Sequence, residues 1–460
     1  MRSRLTFSLI LAVAVPGGAF LSCASHGRPG PGGDAGGMDS GLDVRGDARP
    51  HFDARFDAPP VSDFCDLPGS VVWAGGGSRI VPGGPMVPDV SWLHLPDGFC
   101  AHYFATVPET RQLRVSPGGD LFAASPSTST AGGAAGGLGA IVVLPDDDRD
   151  GVADATLTYM NGLPSTQGLL FTGGYLYYQD GETIRRTPFA PGDRVAGPTS
   201  EQVVDVNIYT SGVHWPKTLD VDDSGNIFVT NGGDQGEACN ASEPGPSRPF
   251  HGGILRIDGS ANGHLVAKGL RNPISLRCAP GTGTCFGIEL DLDFAGGQGS
   301  REKLFPVREG DDWGFPCCAT ANTPFGGISP SPDCSTVEAE TTSFIIDHTP
   351  FGLDFEQGRW PGIWRRRTYV VLHGIVGSYE GARVVAIQTA ADTGWPVASS
   401  EADAGTAMLD FATGDWASNP HLHGRPAALT FSPDGRLFLG NDVDGTVVWI
   451  APVTAPSQDK

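Results

Sequence analysis

KTLDVDDSGNIFVT, residues 217–230, alternates apolar and polar residues on either side of a turn ending in Gly-Asn. Alternation at a period of two, interrupted by a Gly turn, is the signature of a β-hairpin. The phrase recurs as RQLRVSPGGDLFAA at 111–124 and as PAALTFSPDGRLFL at 426–439. Looser copies stand at 167–178, QGLLFTGGYLYY, and at 274–290, around APGTGTCFGIEL. From 111 the starts step by roughly 50 residues, the size of one four-stranded propeller blade. The spacing predicts an all-β six-bladed β-propeller of four-stranded antiparallel blades. No long stretch sustains a period of 3.6 residues, so helices are expected to be few and short.

The bulk composition agrees. The 460-residue chain holds 66 Gly and 38 Pro and is only 18% charged, a mix suited to short strands and tight turns. With 52 acidic against 30 basic residues the net charge is −22. Such a chain is repelled by nucleic acid and by anionic lipid.

The first residues read as an export signal. Arg2 and Arg4 precede the apolar run from Leu5 to Val15, and small residues lead to Cys23. The run is too short to span a bilayer comfortably. Residues 1–22 are therefore expected to be a signal peptide, and Cys23 a lipobox cysteine anchoring the chain to a bacterial cell envelope. Residues 23–62, rich in Gly, Asp and Pro, cannot bury a core and are expected to form a disordered tether. The propeller is expected over 63–455. Eight further cysteines, an even number in an exported chain, point to disulfides. Cys278 and Cys285 flank one turn and suit a hairpin staple, Cys65 and Cys100 can tie down the start of the domain, and Cys239, Cys317, Cys318 and Cys334 can pair between loops. The absence of a C-x₂-C pair argues against zinc.

Three stretches carry chemistry. Asp146, Asp148, Asp150 and Asp154, with Gly151 at the sixth position and the Val152 carbonyl at the seventh, follow the spacing D-x-D-x-D-G-x-x-D. Carboxylates two apart around a Gly wrap a hard cation such as Ca²⁺. Leu157 stands where an EF-hand has its bidentate Glu, so the site is not a full EF-hand. His214 precedes one strand and Asp234 follows the next, which places both at one end of a blade; a His can take a proton from an alcohol and an Asp can orient it. Arg271 and Asn272, in Gly269-Leu-Arg-Asn-Pro273, can stabilise negative charge developing on an oxygen.

The order of these stretches, with NGGDQG at 231–236, WGFP at 313–316, Gly424-Arg425 and the closing SPDG, resembles the glucose/sorbosone dehydrogenases over roughly residues 90–452. LPDGFCAHYFATV at 96–108 and the acidic loop fit the sorbosone-like branch. The resemblance implies a six-bladed propeller that holds pyrroloquinoline quinone (PQQ) and Ca²⁺ in a central cleft. It makes His214 the base that deprotonates a sugar or polyol hydroxyl while hydride passes to the quinone, with Asp234 supporting the His. Arg271 would polarise the quinone oxygens, Asn272 would contact the cofactor and Arg425 would bind one of its carboxylates. The carbonyls of Asp291 and Leu292 would ligate the cofactor's Ca²⁺, and an external acceptor would collect the electrons. Three positions depart from the pattern. Cys239 stands near a Gln of the glucose-oxidising members, and Tyr379 and Ala427 stand where a Lys and an Arg face the cofactor carboxylates. Losing two cations costs ~1.5–3 kcal/mol each, which Arg383 is a candidate to offset. Two other classes stay open: a surface propeller that binds glycan or protein without catalysis, and a Ca²⁺-dependent lactonase-type hydrolase. The latter needs several acidic or amide side chains converging on one metal, and no such set is evident in the sequence.

Overall fold

The computed structural model describes residues 64–126, 139–163, 165–205, 214–233, 239, 250–259, 263–293, 297, 299–418 and 423–454. The stretches expected to be a signal peptide and a tether, with Cys23, and also Asp234, lie outside the described residues.

The chain is a six-bladed β-propeller. The inner strands, in ring order, are Gln112–Val115, Leu169–Thr172, Leu219–Val221, Asn272–Ala279, Pro350–Phe355 and Pro426–Phe431, defining blades 1 to 6. Each begins a sheet that steps outward with antiparallel neighbours, apart from the parallel outermost pairs of blades 3 and 4. Blades 1 and 2 have the expected four strands; blades 3, 4 and 5 each gain a two-residue fifth. Blade 6 closes the ring: Thr446–Pro452 pairs with Phe99–Thr106 from the start of the domain, and Val71–Ala74 and Gly77–Ile80 extend that sheet to six strands.

One turn builds the hairpins of blades 1, 3 and 6. Ser116, Asp222 and Ser432 each donate their N–H four residues on, to Asp120, Asn226 and Arg436, at 2.8–3.0 Å. In each, the fourth loop residue is a Gly at φ 84–95° (Gly119, Gly225, Gly435), a region closed to most side chains. The repeat phrases of the sequence are therefore the inner hairpins of blades 1, 2, 3, 4 and 6. Blade 5 has no such phrase because its two inner strands, Pro350–Phe355 and Thr368–Leu372, are separated by a long excursion.

The apolar core lies between blades. Trp360, Tyr369, Phe411 and Phe99 pack between blades 5 and 6 with centroids 4.9–5.1 Å apart, edge-on except for the tilted Trp360–Phe411 pair. Four disulfides, Cys65–Cys100, Cys239–Cys317, Cys278–Cys285 and Cys318–Cys334, account for all eight cysteines of the domain. The hairpin staple and the tie at the domain start are as the sequence suggested.

Candidate functional site

Inner strands all run the same way along the axis, and each second strand returns. The residues before a first strand and after a second therefore share one rim. This rim carries His214 and Gly233 on blade 3, Arg271, Asn272 and Asp291 on blade 4, His373 on blade 5, Arg425 and Asp442 on blade 6, and Arg111 on blade 1. All of these side chains are buried.

His214 is held by its backbone surroundings. Its Nδ1 lies 2.7 Å from the carbonyl oxygen of Gly233. A carbonyl only accepts, so Nδ1 carries the proton and Nε2 keeps its lone pair. Nε2 is buried and has no hydrogen-bond partner among the described residues. Burial, aided by the Arg271 charge and by His251 and opposed by the Gly233 bond, pushes the imidazole down from 6.5 to about 3. It is neutral throughout the physiological range. Gly232 makes the close return possible: a Cβ there would sit 2.6 Å from the His214 oxygen.

The Gly233 N–H donates to the Arg271 carbonyl at 2.7 Å, joining blades 3 and 4. Arg271 is 3% exposed. Its guanidinium donates to the Asp291 carbonyl and, at 3.0 Å, to Asp293 Oδ2, while its backbone N–H donates to Glu289 Oε1 at 3.0 Å. Asn272 Oδ1 is buried without a partner among the described residues. Beneath them Lys303, fully buried, faces Glu289 at 3.6 Å and Asp291 at 3.4 Å. Burial outweighs Lys303 and holds the Glu289 carboxyl up at about 7. The Asp291 carbonyl is thus already aimed at a guanidinium, and the Leu292 carbonyl accepts from Ser300 Oγ at 3.0 Å. A cation at this pair would share its first ligand with Arg271.

A second cluster faces the mouth from blades 1, 5 and 6. Asp442 accepts from His373 Nε2 at 2.9 Å and lies 3.4 Å from Arg111 and 3.5 Å from Arg425. Against the penalty of burial, the His373 imidazole and then the Arg111 and Arg425 guanidiniums hold its carboxyl far below the usual range. His373 is neutral, pushed down to about 3 by burial and by Arg425. Arg425 Nε and Nη1 and Arg111 Nε are buried without partners among the described residues. Two guanidiniums thus share one carboxylate and retain N–H groups for an anion. Tyr379 lies under the Arg425 guanidinium at 5.3 Å, and Ala427 lines the axial cavity. Arg383 does not compensate for them: it is bound to Asp410 at 2.7 Å, to Glu401 and to the Gly381 carbonyl. The second cation is Arg111. Counted from the shared hairpin turn, Arg111, Lys217 and Ala427 hold equivalent places in their blades, and aligning the repeats at this turn would have exposed it. Lys217 is turned away, its Nζ donating to Asn231 Oδ1 at 2.5 Å. Cys239, bonded to Cys317, acts as a tie to the Trp313–Pro316 stretch, which itself hydrogen-bonds Lys268 and Gly269 beside Arg271.

The acidic loop lies elsewhere, between the third and fourth strands of blade 1. Carboxylate oxygens of Asp146, Asp148 and Asp150 come within 4.8 Å of one another. Asp154 instead accepts the Asp147 N–H at 2.6 Å, and Val152 donates its N–H to Asp150 at 2.8 Å. The loop is pinned to the closing blade, with the Gly151 carbonyl accepting from Trp449 Nε1 at 2.8 Å and Ala153 N–H donating to Phe104 at 2.9 Å.

Neither family models nor curated proteins match the sequence. Solved structures do match the fold. A carbohydrate-active enzyme of family AA12 from Trichoderma reesei superposes with a TM-score of 0.63 at 17% identity, covering 78% of this chain and 97% of that one. The PQQ domain of pyranose dehydrogenase from Coprinopsis cinerea, in its holo form, gives 0.61 at 17% identity over 78% and 97%. A putative oxidoreductase (glucose dehydrogenase) from Thermus thermophilus gives 0.53 at 16% identity over 77% and 100%.

Proposed function

We propose that the protein is an exported, lipid-anchored dehydrogenase that oxidises an aldose or related polyol with PQQ as hydride acceptor and passes the electrons to an external acceptor. The observation that carries this reading is His214: a buried, neutral imidazole with its Nδ1 proton committed to Gly233 and its Nε2 lone pair uncommitted among the described residues. That is the state a base needs to take a proton from a hydroxyl.

The residues present fit the cofactor. Arg425 and Arg111 offer carboxylates N–H groups that have no partner among the described residues, and the buried Asn272 amide and Arg271 stand across the mouth beside His214. When bound, the quinone supplies a two-electron hydride acceptor. The chain's own part is to orient the substrate hydroxyl against Nε2, to exclude water and to stabilise negative charge with Arg271. Of the structural neighbours, one is by name the PQQ domain of a pyranose dehydrogenase and another was solved with calcium. Asp146, Asp148 and Asp150 would hold a structural Ca²⁺ in this chain. The export signal and Cys23 support placement at the cell envelope, as does the pairing of all eight domain cysteines.

The test is reconstitution. Purified protein is given PQQ and Ca²⁺, the quinone absorbance is followed, and a panel of aldoses and polyols is assayed with an artificial electron acceptor. Binding followed by dye reduction is expected. No change in quinone absorbance would refute the proposal.

A further inference from the structure

Glu289 and Asp291 stand two apart at the end of the second strand of blade 4. Side chains of a strand alternate between its faces, so the two carboxylates fall on the same one. Glu289 is in register with Lys303 on the third strand and with Pro273 on the first. Lys303, Glu289 and Asp291 are each 0% exposed. The ammonium lies 3.6 Å from Glu289 and 3.4 Å from Asp291. The proposed reaction gives this lysine no part.

Both acidic residues hold Arg271. Glu289 Oε1 accepts its backbone N–H at 3.0 Å. The Asp291 carbonyl accepts its guanidinium, and Asp291 Oδ1 accepts the Leu292 N–H at 2.8 Å. The Arg271 carbonyl in turn takes the Gly233 N–H, and the Gly233 carbonyl takes His214 Nδ1, both at 2.7 Å. Lys303 therefore stands at the root of a continuous run of polar contacts. One branch ends on the guanidinium of Arg271 and the other on His214. A buried ammonium among carboxylates is a poor source of stability, because removing the charges from water costs about as much as their attraction restores. What it supplies is direction. Glu289 Oε2 and Asp291 Oδ2 have no hydrogen-bond partner among the described residues, so the ammonium between them keeps each carboxylate turned to its place.

We propose that Lys303 is a positioning residue for the dehydrogenase reaction: through Glu289 and Asp291 it aligns Arg271, and through Gly233 it aligns His214. The role rests on the dehydrogenase reading given above.

Lys303→Met, which keeps the length of the side chain and removes its charge, tests it by two measurements. In cofactor-free protein, hydrogen exchange at the Arg271 and Gly233 amides should accelerate about tenfold or more, because both belong to the run that the lysine roots. In protein reconstituted with PQQ and Ca²⁺, turnover per bound quinone should fall about 10–100-fold, the effect of moving a reacting group by up to ~1 Å. The quinone dissociation constant and KM should change little. A purely structural role would instead reduce the number of quinone sites and leave turnover at each site as in wild type. Glu289→Gln/Lys303→Met leaves no buried Glu289 charge to compensate and keeps an oxygen for the Arg271 N–H, so it should recover part of the turnover. Should Lys303→Met fail to fold, Glu289→Gln, which gives the ammonium one carboxylate fewer to face, is read by the same two measurements. Wild type that takes up no quinone refutes the dehydrogenase reading and this role with it. Wild type that turns over beside a variant with equal turnover per site, or with unchanged exchange, overturns this role alone.

Discussion

His214 and Arg271 are bound to the two polar groups of a single residue. The Gly233 carbonyl accepts from His214 Nδ1 and the Gly233 N–H donates to the Arg271 carbonyl, both at 2.7 Å. One backbone unit therefore sets the tautomer of the proposed base and its offset from the proposed electrophile. Replacing His214 by Ala removes the lone pair and leaves the mouth intact. Turnover of reconstituted protein should fall about 10²–10⁴-fold, while quinone binding, read by absorbance titration, changes little.

Gly232→Ala acts on the same brace from behind. A Cβ at this position meets the His214 carbonyl at 2.6 Å and its Cβ at 2.8 Å. The histidine must move, and displacing a reacting group by ~1 Å costs on the order of 10²-fold in rate. Steady-state kinetics should show kcat falling far more than KM rises.

Arg111→Gln and Arg425→Gln each remove one cation from the pair that shares Asp442. Taking about 1.5–3 kcal/mol for a charged hydrogen bond, each variant should bind PQQ roughly 10–100-fold more weakly. Arg383→Gln, on a side chain already bound to Asp410 and Glu401, should leave the quinone titration unchanged.

The buried histidines tie stability to pH. His214 and His373 have folded values of about 3 against an ordinary 6.5. Between these limits the unfolded chain binds protons that the folded chain refuses, so both groups lower stability as pH falls from about 6.5 toward 3. Glu289 and Asp311, held up by burial at about 7 and 6, act in the opposite sense. Comparing wild type with His214→Gln/His373→Gln isolates the histidines: the double variant should lose less of its melting temperature on acidification.

Calcium should report on ring closure. The Asp146–Asp150 loop is fastened to Trp449 and Phe104, whose strands are the last and nearly the first of the domain. Chelator should lower the melting temperature of wild type, and Asp148→Asn should behave as chelated protein does, with no further response.

The turn that repeats in blades 1, 3 and 6 made the architecture legible, because Gly at a fixed offset is needed wherever that turn is used. Blade 5 escaped because 356–367 interrupts its hairpin. At the site, His214, Arg271, Asn272 and Arg425 were readable as a linear order of motifs, and the structure brings all four to one rim. Arg111, His373 and Asp442 were not. They come from three different blades, and only the closed ring places them together. Lys217 shows the limit of register: it shares the place of Arg111 yet buries its amine against Asn231. Asp234 lies outside the described residues, so its part in supporting His214 rests on the sequence.

The seam of the ring has a further consequence. Arg425 and Asp442 belong to the blade formed by both ends of the domain, and Arg111 opens the first blade after it. The anion-receiving half of the mouth thus straddles the only junction that peptide connectivity does not itself secure. A chain released from synthesis without its final strands has the base, the Arg271 shelf and most of the cavity wall, yet keeps only Arg111 of the pair proposed to hold the cofactor's carboxylates. Loading of the proposed cofactor would then work as a check on completion, its carboxylates bridging the join.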